Sequence, residues 1–246
     1  MKTILTPASL DDLIHLLRAW RFWMLSALLG GLIGMAFYFL IPPNFRARAT
    51  VVVSFNMEKA WPNKPDNELF YYLERESRKL EEVAWNDATL QLVADQTGQT
   101  IPELRSGKLE LSQPQDGAWH FYATDKSAQV ATELASAWAQ AFNTQAQQGI
   151  QTAVTLDAAR KSLVNDPGNN KLQADITDLE SRSLAITPEI QISLAAALGK
   201  NLPAVRKNSP GVYAAAGAVL FMTIGCLLIL FFPGLTPALH GNRDHA

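Results

Sequence analysis

A run of 20 residues without a charge, Phe22 to Ile41, limits most strongly what this chain can fold into. At 1.5 Å of rise per residue, a helix of about 20 residues matches the roughly 30 Å hydrocarbon core of a bilayer. Arg18, Trp20 and Arg21 precede the run, as the headgroup region favours. Residues 22–41 are therefore predicted to span a membrane. The alternative, a buried helix of a soluble protein, is rarely so long.

A second uncharged run, Val212 to Phe232, is about as long and is predicted to be a second span. Residues 42–210 between the spans then form one domain on one side of the membrane. At roughly 170 residues, this domain is large enough to bury a core of its own. Residues 1–21 form an amphipathic tail, and residues 233–246 form a short second tail on the same side.

The first run has another possible interpretation, and the orientation of the spans is open. Ala47-Arg48-Ala49 fits the pattern of a signal-peptide cleavage site, but the apolar core of a signal peptide has only about 7–15 residues, so an uncleaved anchor is preferred. Basic residues lie near both ends of both predicted spans, so the positive-inside rule does not decide the orientation. By charge alone, a cytoplasmic middle domain remains possible. The basic residues are Lys2, Arg18, Arg21, Arg46, Arg48, Arg206, Lys207 and Arg243.

Composition and motifs argue against several classes of function. A net charge of −2 indicates no nucleic-acid partner, and the only cysteine, Cys226, excludes a disulfide framework. The sequence has no phosphate loop, no nucleophile elbow and no paired metal-ligand motif, so we expect neither an enzyme nor a cofactor or metal. The four histidines are scattered, and the glutamates of the first middle helix are expected to form a solvated face or subunit contacts. These residues are His15, His120, His240, His245, Glu74, Glu76, Glu81 and Glu82.

Periodicity predicts the elements of the middle domain. Val130, Leu134, Trp138 and Phe142 recur at helical spacing and are expected to form the core. The order of the elements indicates an α+β fold, which we expect to be a membrane-proximal ferredoxin-like sheet-and-helix domain with a short helical hairpin at about 150–186. The predictions are strands at 45–55, 108–112, 118–124 and 189–194, helices at 68–84 and 87–98, a capping box of Thr100 with Glu103, a long helix that Asp125 caps and that weakens near Gly149, a return helix at 171–185, and an exposed contact at Trp61.

Small residues recur in both predicted spans. Ser26, Gly30 and Gly34 are spaced four residues apart, and Ala214 and Ala218 form a shorter counterpart in the second span. Such stripes let two membrane helices approach closely, although glycine and alanine are also simply common there. We favour a packing role. The sequence leaves open whether the packing occurs within one chain or between copies.

Several segments, in the same order, resemble the bacterial polysaccharide co-polymerases, the chain-length determinant (Wzz) family. The exit from the first span, Pro42-Pro43 with Arg46-Ala47, is similar to the family's passage into its first strand. The strand Ala118–Thr124 followed by an alanine-rich helix is also similar. So is the approach to the second span through Pro203, Ser209 and Pro210.

The resemblance implies a protein without a reaction of its own. It implies a homo-oligomeric ring in the bacterial inner membrane, with the middle domain periplasmic or extracellular and both termini cytoplasmic. Such a ring regulates the length, assembly or export of a surface polysaccharide through a partner polymerase or the growing glycan. The predicted hairpin is shorter than the family's usual arm, which argues against the usual O-antigen role and leaves an exopolysaccharide role or a divergent task open. The alternative is an activator of a separate cytoplasmic tyrosine kinase, and a third class is an extracytoplasmic sensor or hydrolase.

Overall fold

The computed structural model describes residues 14, 17–60, 66–113, 117–195 and 203–231. The chain divides into two compact units. The helix-pair unit comprises Met1–Pro43 and Arg206–Ala246, and the α+β unit comprises Asn44–Val205. Each unit is described by itself.

The helix-pair unit contains helix α1, Trp20–Leu40, and the last helix of the described chain, Pro210–Phe231. Both are long and apolar enough to cross a membrane, which is consistent with a two-pass membrane protein. Pro210 is the first residue of its helix, where the missing N–H of proline costs nothing. The helices start two residues before the predicted spans, and their described ends lie one residue before the predicted ends.

The α+β unit is built from helices and an antiparallel sheet. Its elements are β1 Phe45–Phe55, α2 Met57–Ala60, α3 Asp66–Trp85, α4 Asp87–Thr97, α5 Ile101–Glu103 followed by a turn at Leu104–Lys108, β2 Leu109–Ser112, β3 Ala118–Asp125, α6 Ala128–Asn165, α7 Asn170–Arg182 and β4 Ile190–Leu194. A two-residue strand, β5 Val205–Arg206, lies at the boundary of the two units in the chain, and the helix Pro210–Phe231 is α8.

The strands of the sheet lie in the order β2-β3-β1-β4, and β5 also pairs with β1. β1 is antiparallel to both β3 and β4, with Val51 opposite Trp119 and Val53 opposite Ile192. Because side chains alternate between the two faces of a strand, Val51 and Val53 are buried while Val52 between them is exposed. The strand predicted at 45–55 is confirmed.

The core of the unit lies between the inward face of the sheet and α6. Trp138, Phe142 and Phe121 are fully buried, and the Trp119 ring stacks on Phe142 with centroids 5.8 Å apart. The Trp138 indole N–H donates a hydrogen bond of 2.8 Å to the carbonyl oxygen of Ala84, which joins α6 to the end of α3. The predicted core stripe on the long helix is therefore confirmed.

Two predicted helix signals around α4 and α5 are also confirmed. Gly98 follows α4 with φ of 69°, the left-handed conformation that glycine adopts at little cost. The Glu103 carboxylate accepts a hydrogen bond from the Thr100 backbone N–H at 2.9 Å, which completes the capping box. This hydrogen bond holds the pKa of Glu103 below its ordinary value.

The predicted cap of the long helix is wrong. Ser127, not Asp125, is the N-cap of α6, and its hydroxyl accepts a hydrogen bond from the Val130 N–H. Asp125 is still the last residue of β3, and its carboxylate accepts a hydrogen bond from the Ser127 N–H at 3.0 Å. The strand extends one residue beyond the prediction, so the capping role passes to the next suitable side chain.

The predicted weakening at Gly149 is also wrong, because α6 runs without interruption for 38 residues. Gly149 is buried, and a Cβ added there would lie 2.7 Å from Cδ1 of Ile186. The return helix α7 ends at Arg182 instead of 185, and in the segment that follows, Leu184 and Ile186 pack against Gly149 of α6 while Ala185 has a left-handed φ of 54°. Glycine serves close packing at this contact.

The expected solvated face of α3 is corrected at one position. Glu74, Glu81 and Glu82 are exposed, but Glu76 is fully buried. The Lys79 ammonium donates to Oε1 of Glu76 at 2.8 Å. Glu76 is tolerated inside because a neighbouring cation compensates its charge, although its second oxygen has no hydrogen-bond partner among the residues that the structure describes.

Candidate functional site

The predicted small residues of the first span meet α8 within the same chain. A Cβ added to Gly30 would overlap the carbonyl oxygen of Gly217 and lie 2.5 Å from Cβ of Phe221. A Cβ added to Gly34 would overlap the carbonyl oxygen of Tyr213. The two helix backbones are therefore in direct contact, which only glycine permits at these positions. We call this contact the seam.

A polar contact lies farther along the seam. The Ser26 hydroxyl donates a hydrogen bond of 2.7 Å to the carbonyl oxygen of Phe221. A Cβ added to Gly225 would lie 3.0 Å from the Ser26 oxygen, so a glycine at this position also keeps the helices close. Interhelical hydrogen bonds of this kind stabilise membrane helix pairs by roughly 0.6 kcal/mol on average.

The alanines predicted in the second span lie beside the same seam. A Cβ added to Gly31 would lie 3.6 Å from the Ala214 carbonyl oxygen and 3.8 Å from the Ala218 Cβ, which are ordinary contact distances. All five predicted helix-packing residues thus lie at or beside one interface within the chain. Their outward neighbours are large and exposed, as lipid contact requires.

One end of the seam carries an aromatic cluster. Tyr38 is buried, and its ring meets that of Tyr213 edge to face with centroids 5.6 Å apart. The Arg206 guanidinium lies 5.2 Å from the centroid of the Tyr38 ring, within the range of a cation–π contact. The helix pair is therefore held at this end by side chains as well as by backbone contact.

The residues that carry the family resemblance occupy structural positions. The Arg46 guanidinium stacks 3.8 Å from the Tyr122 ring centroid and pairs with Glu110 at 2.7 Å, and Ala47 is buried in the core. Pro42 and Pro43 lie between α1 and β1. Pro203 precedes β5, and the Ser209 carbonyl accepts a hydrogen bond from the Val212 N–H at the start of α8.

The described residues include no group of three or more potential metal ligands. His120 lies on β3 with its Nδ1 3.0 Å from the Thr50 hydroxyl oxygen. His15, His240, His245 and Trp61 lie outside the described residues, so their predicted roles stay predictions.

A cleft of about 480 Å³ lies between α6 and the segment after α7. Leu156 and Ile186 line it as buried apolar residues. Arg160 and Glu180 join α6 to α7 across it by an ion pair of 2.6 Å. The Asp157 carboxylate pairs with Lys161 at 2.6 Å, which raises the pKa of that lysine. The ion pair across the cleft fits a role in holding the helical arm together.

No protein-family model matches this chain, and a search of curated proteins finds no significant match.

The sequence reasoning missed two residues of the seam, Gly217 and Gly225. Both lie on the face of α8 that meets α1, and a Cβ added to Gly217 would overlap the Gly30 carbonyl oxygen. Their spacing of eight residues, about two helical turns, was a signal in the sequence. The signal is weak because alanine is the more frequent small residue in that span.

Proposed function

We propose that this chain is a non-enzymatic oligomeric scaffold of the bacterial inner membrane. It regulates the chain length, assembly or export of a surface polysaccharide that a partner polymerase makes. One observation carries the proposal: a single α+β unit with a helical arm lies in the chain between two membrane-length helices that pack on each other through glycine. Both termini are cytoplasmic, and the α+β unit is periplasmic or extracellular.

The finer fold expectation is part of the proposal. In the α+β unit, one strand, a helical segment, two strands, a long helix and another strand follow each other along the chain. Their sheet order, β2-β3-β1-β4, supports a ferredoxin-like arrangement. The arm is formed by the second half of α6 and by α7, and α7 has only 13 residues, or about 20 Å. An arm this short argues against the O-antigen role that is usual in the family it resembles, and it leaves an exopolysaccharide role or a divergent task open.

In this proposal the helix pair acts as one membrane element. The small residues are used within the chain, so the outward faces carry large side chains such as Leu28, Leu32 and Leu220. These faces are available to lipid and to neighbouring copies. A ring of copies then positions the polymerase and the growing glycan and biases when elongation stops.

Deletion of the gene tests the proposal directly. We expect the modal length of a surface polysaccharide to shift on a gel while the total sugar changes little, and the full chain to restore the original length. An unchanged length distribution contradicts the proposal. Removal of residues 233–246 separates the alternative, because an activator of a tyrosine kinase loses kinase phosphorylation with that tail whereas a scaffold keeps its effect on length.

Cross-linking in native membranes tests the oligomer. An amine-reactive reagent is expected to give a ladder of species above the dimer. A chain that remains monomeric at every reagent concentration contradicts the oligomeric scaffold.

A further inference from the structure

We propose that copies of this chain associate head to tail through two different faces of the α+β unit. The outward face of the sheet in one copy receives the outward face of α3 in the next copy. The inference rests on the proposed oligomeric scaffold and names the two surfaces that build it.

The first surface is the outward face of the sheet. α6 packs on the inward face, where Val51 and Phe121 are fully buried. On the outward face Val52 is 39% exposed and Arg48 is exposed, and Tyr122 lies opposite Arg48 in the register of the two strands. Among the described residues, Arg48 has no ion-pair partner, and we call this surface the sheet face.

The second surface is the outward stripe of α3. Phe70 and Tyr71 are 68% and 71% exposed, with ring centroids 5.9 Å apart. The opposite stripe of the helix is buried through Glu76 and Leu80. Two adjacent aromatic rings on a charged helix are large apolar groups of the kind that anchor protein interfaces. We call this surface the α3 face.

The two surfaces are different parts of the unit. The sheet face lies on the side of the sheet away from α6, whereas the α3 face lies on a helix that packs on α6. At the end of α3, the Glu81 carboxylate accepts a hydrogen bond of 3.1 Å from the Gln113 amide, which follows β2. A contact between two different surfaces of one chain repeats from copy to copy, and it closes into a ring where the rotation permits. A contact of one surface with itself stops at a dimer.

Charge selects the pairing of unlike surfaces. The sheet face carries two guanidinium groups against one carboxylate, whereas the α3 face carries four carboxylates against two guanidinium groups. Two sheet faces would bring arginines together, and two α3 faces would bring glutamates together, which costs free energy at an interface. A sheet face against an α3 face has opposite charges. The residues are Arg46, Arg48 and Glu110 on the sheet face, and Glu68, Glu74, Arg75, Arg78, Glu81 and Glu82 on the α3 face.

Cysteine cross-linking of the full chain in native membranes tests the pairing. The background carries Cys226→Ser, which removes the only native cysteine. A chain with both Val52→Cys and Tyr71→Cys is expected to give a ladder above the dimer with a short bis-maleimide reagent. Each single variant should remain monomeric, and two singles expressed together under different tags should give only the mixed dimer.

Further variants keep the test falsifiable if one cysteine pair is poorly oriented. Ser54→Cys with Phe70→Cys is a second pair on the same two surfaces, and Val164→Cys, 79% exposed at the end of α6, is the control position. Arg48→Glu should lower the yield of the ladder by about tenfold, because it places a carboxylate against carboxylates. The conservative change Arg48→Lys should lower it little.

The outcomes separate the inference from the proposed function. If the amine reagent gives a ladder while both cysteine pairs give none, the pairing of surfaces is wrong and the scaffold stands. If a single-cysteine variant gives as much cross-linked product as the double variant, the contact is between like surfaces and the inference is overturned. If neither reagent links copies, both the inference and the scaffold fail.

Discussion

The helix pair and the α+β unit are packed in opposite ways. In the helix pair, the backbones touch at Gly30 and Gly217 while the large side chains point outward. In the α+β unit, aromatic side chains such as Trp138 and Phe121 fill the interior between the sheet and α6. Lipid tails are as apolar as leucine, so membrane helices gain by close contact and hydrogen bonds, whereas a domain in water gains by burying apolar area.

Gly149 shows that the difference lies in the surroundings and not in the residue type. This glycine of α6 allows the segment after α7 to pass close by, as Gly30 allows α8 to do. Its neighbours are the flexible ends of Leu184 and Ile186, whereas the neighbour of Gly30 is a backbone carbonyl. A side chain can move aside and a backbone cannot, so the two glycines should tolerate substitution differently.

The largest effect is expected from Trp138→Ala in the core of the α+β unit. The change removes a fully buried indole and its hydrogen bond to Ala84, and it should lower the free energy of unfolding by about 3–5 kcal/mol. Urea unfolding of the full chain in detergent, followed by circular dichroism, measures the loss. Val164→Ala at an exposed position is the control and should change stability by less than about 0.5 kcal/mol. Equal effects would mean that α6 is not the centre of the core.

Gly30→Ala should come next and should affect only the helix pair. The added methyl group meets the backbone of Gly217, so we expect a loss of about 1–3 kcal/mol from overpacking. Thermal unfolding of the full chain in detergent micelles measures it. Gly31→Ala is the matched control, because its methyl group finds ordinary contact distances to Ala214 and Ala218. A Gly30→Ala chain as stable as Gly31→Ala would disprove the backbone contact.

The α+β unit also contains a contact whose contribution to stability depends on pH. The Tyr72 hydroxyl donates to the Thr187 hydroxyl oxygen at 3.4 Å, and burial raises the pKa of Tyr72. The folded state therefore favours the neutral phenol, and its contribution to stability is complete below the ordinary tyrosine pKa of about 10. That contribution is lost as the pH rises through the higher pKa of the folded state.

Tyr72→Phe should weaken this fall in stability at high pH and cost roughly 1 kcal/mol at neutral pH. Unfolding by urea at neutral and at alkaline pH measures both effects. The pKa of Lys161 is also raised, but Lys161 is present in both the unchanged protein and the Tyr72→Phe variant. The difference between their pH profiles therefore isolates Tyr72. Tyr71→Phe, at an exposed neighbour, is the control. If Tyr71→Phe changed the pH profile as much as Tyr72→Phe, the assignment to Tyr72 would be wrong.

The smallest effect is expected from Gly149→Ala. Alanine favours the helix by about 1 kcal/mol over glycine, and this gain offsets the contact with Cδ1 of Ile186. Ile186→Val removes that Cδ1 atom. The double variant should therefore be more stable than the sum of the two single changes predicts, by about 0.5 kcal/mol or more. A double-mutant cycle of urea unfolding tests this, and strict additivity would show that the two residues do not meet.

Much of the fold could be predicted because the signals are local. The spans follow from two uncharged runs, β1 from alternation and β-branched residues, and the core stripe of α6 from its helical spacing. The burial of Glu76 could not be predicted, because the exposed glutamates of α3 have the same side chain and lie in a similarly charged stretch of sequence. Its burial depends on Lys79 and on which side of α3 meets α6.

The sequence predicted only one of the two helix surfaces that form the seam. The spacing of Ser26, Gly30 and Gly34 marks one side of α1, but spacing along one helix contains no information about the partner. Only the tertiary structure identifies Gly217 as the partner of Gly30, because the two helices are far apart in the chain.

By itself the sequence determined that this chain has two helices of membrane length and an α+β segment between them, because hydrophobic length and periodicity are properties of neighbouring residues. The tertiary structure decided that the small residues of α1 pack against α8 of the same chain, and that Gly149 lies within a continuous helix. Both depend on contacts between residues distant in the chain, which no local pattern specifies.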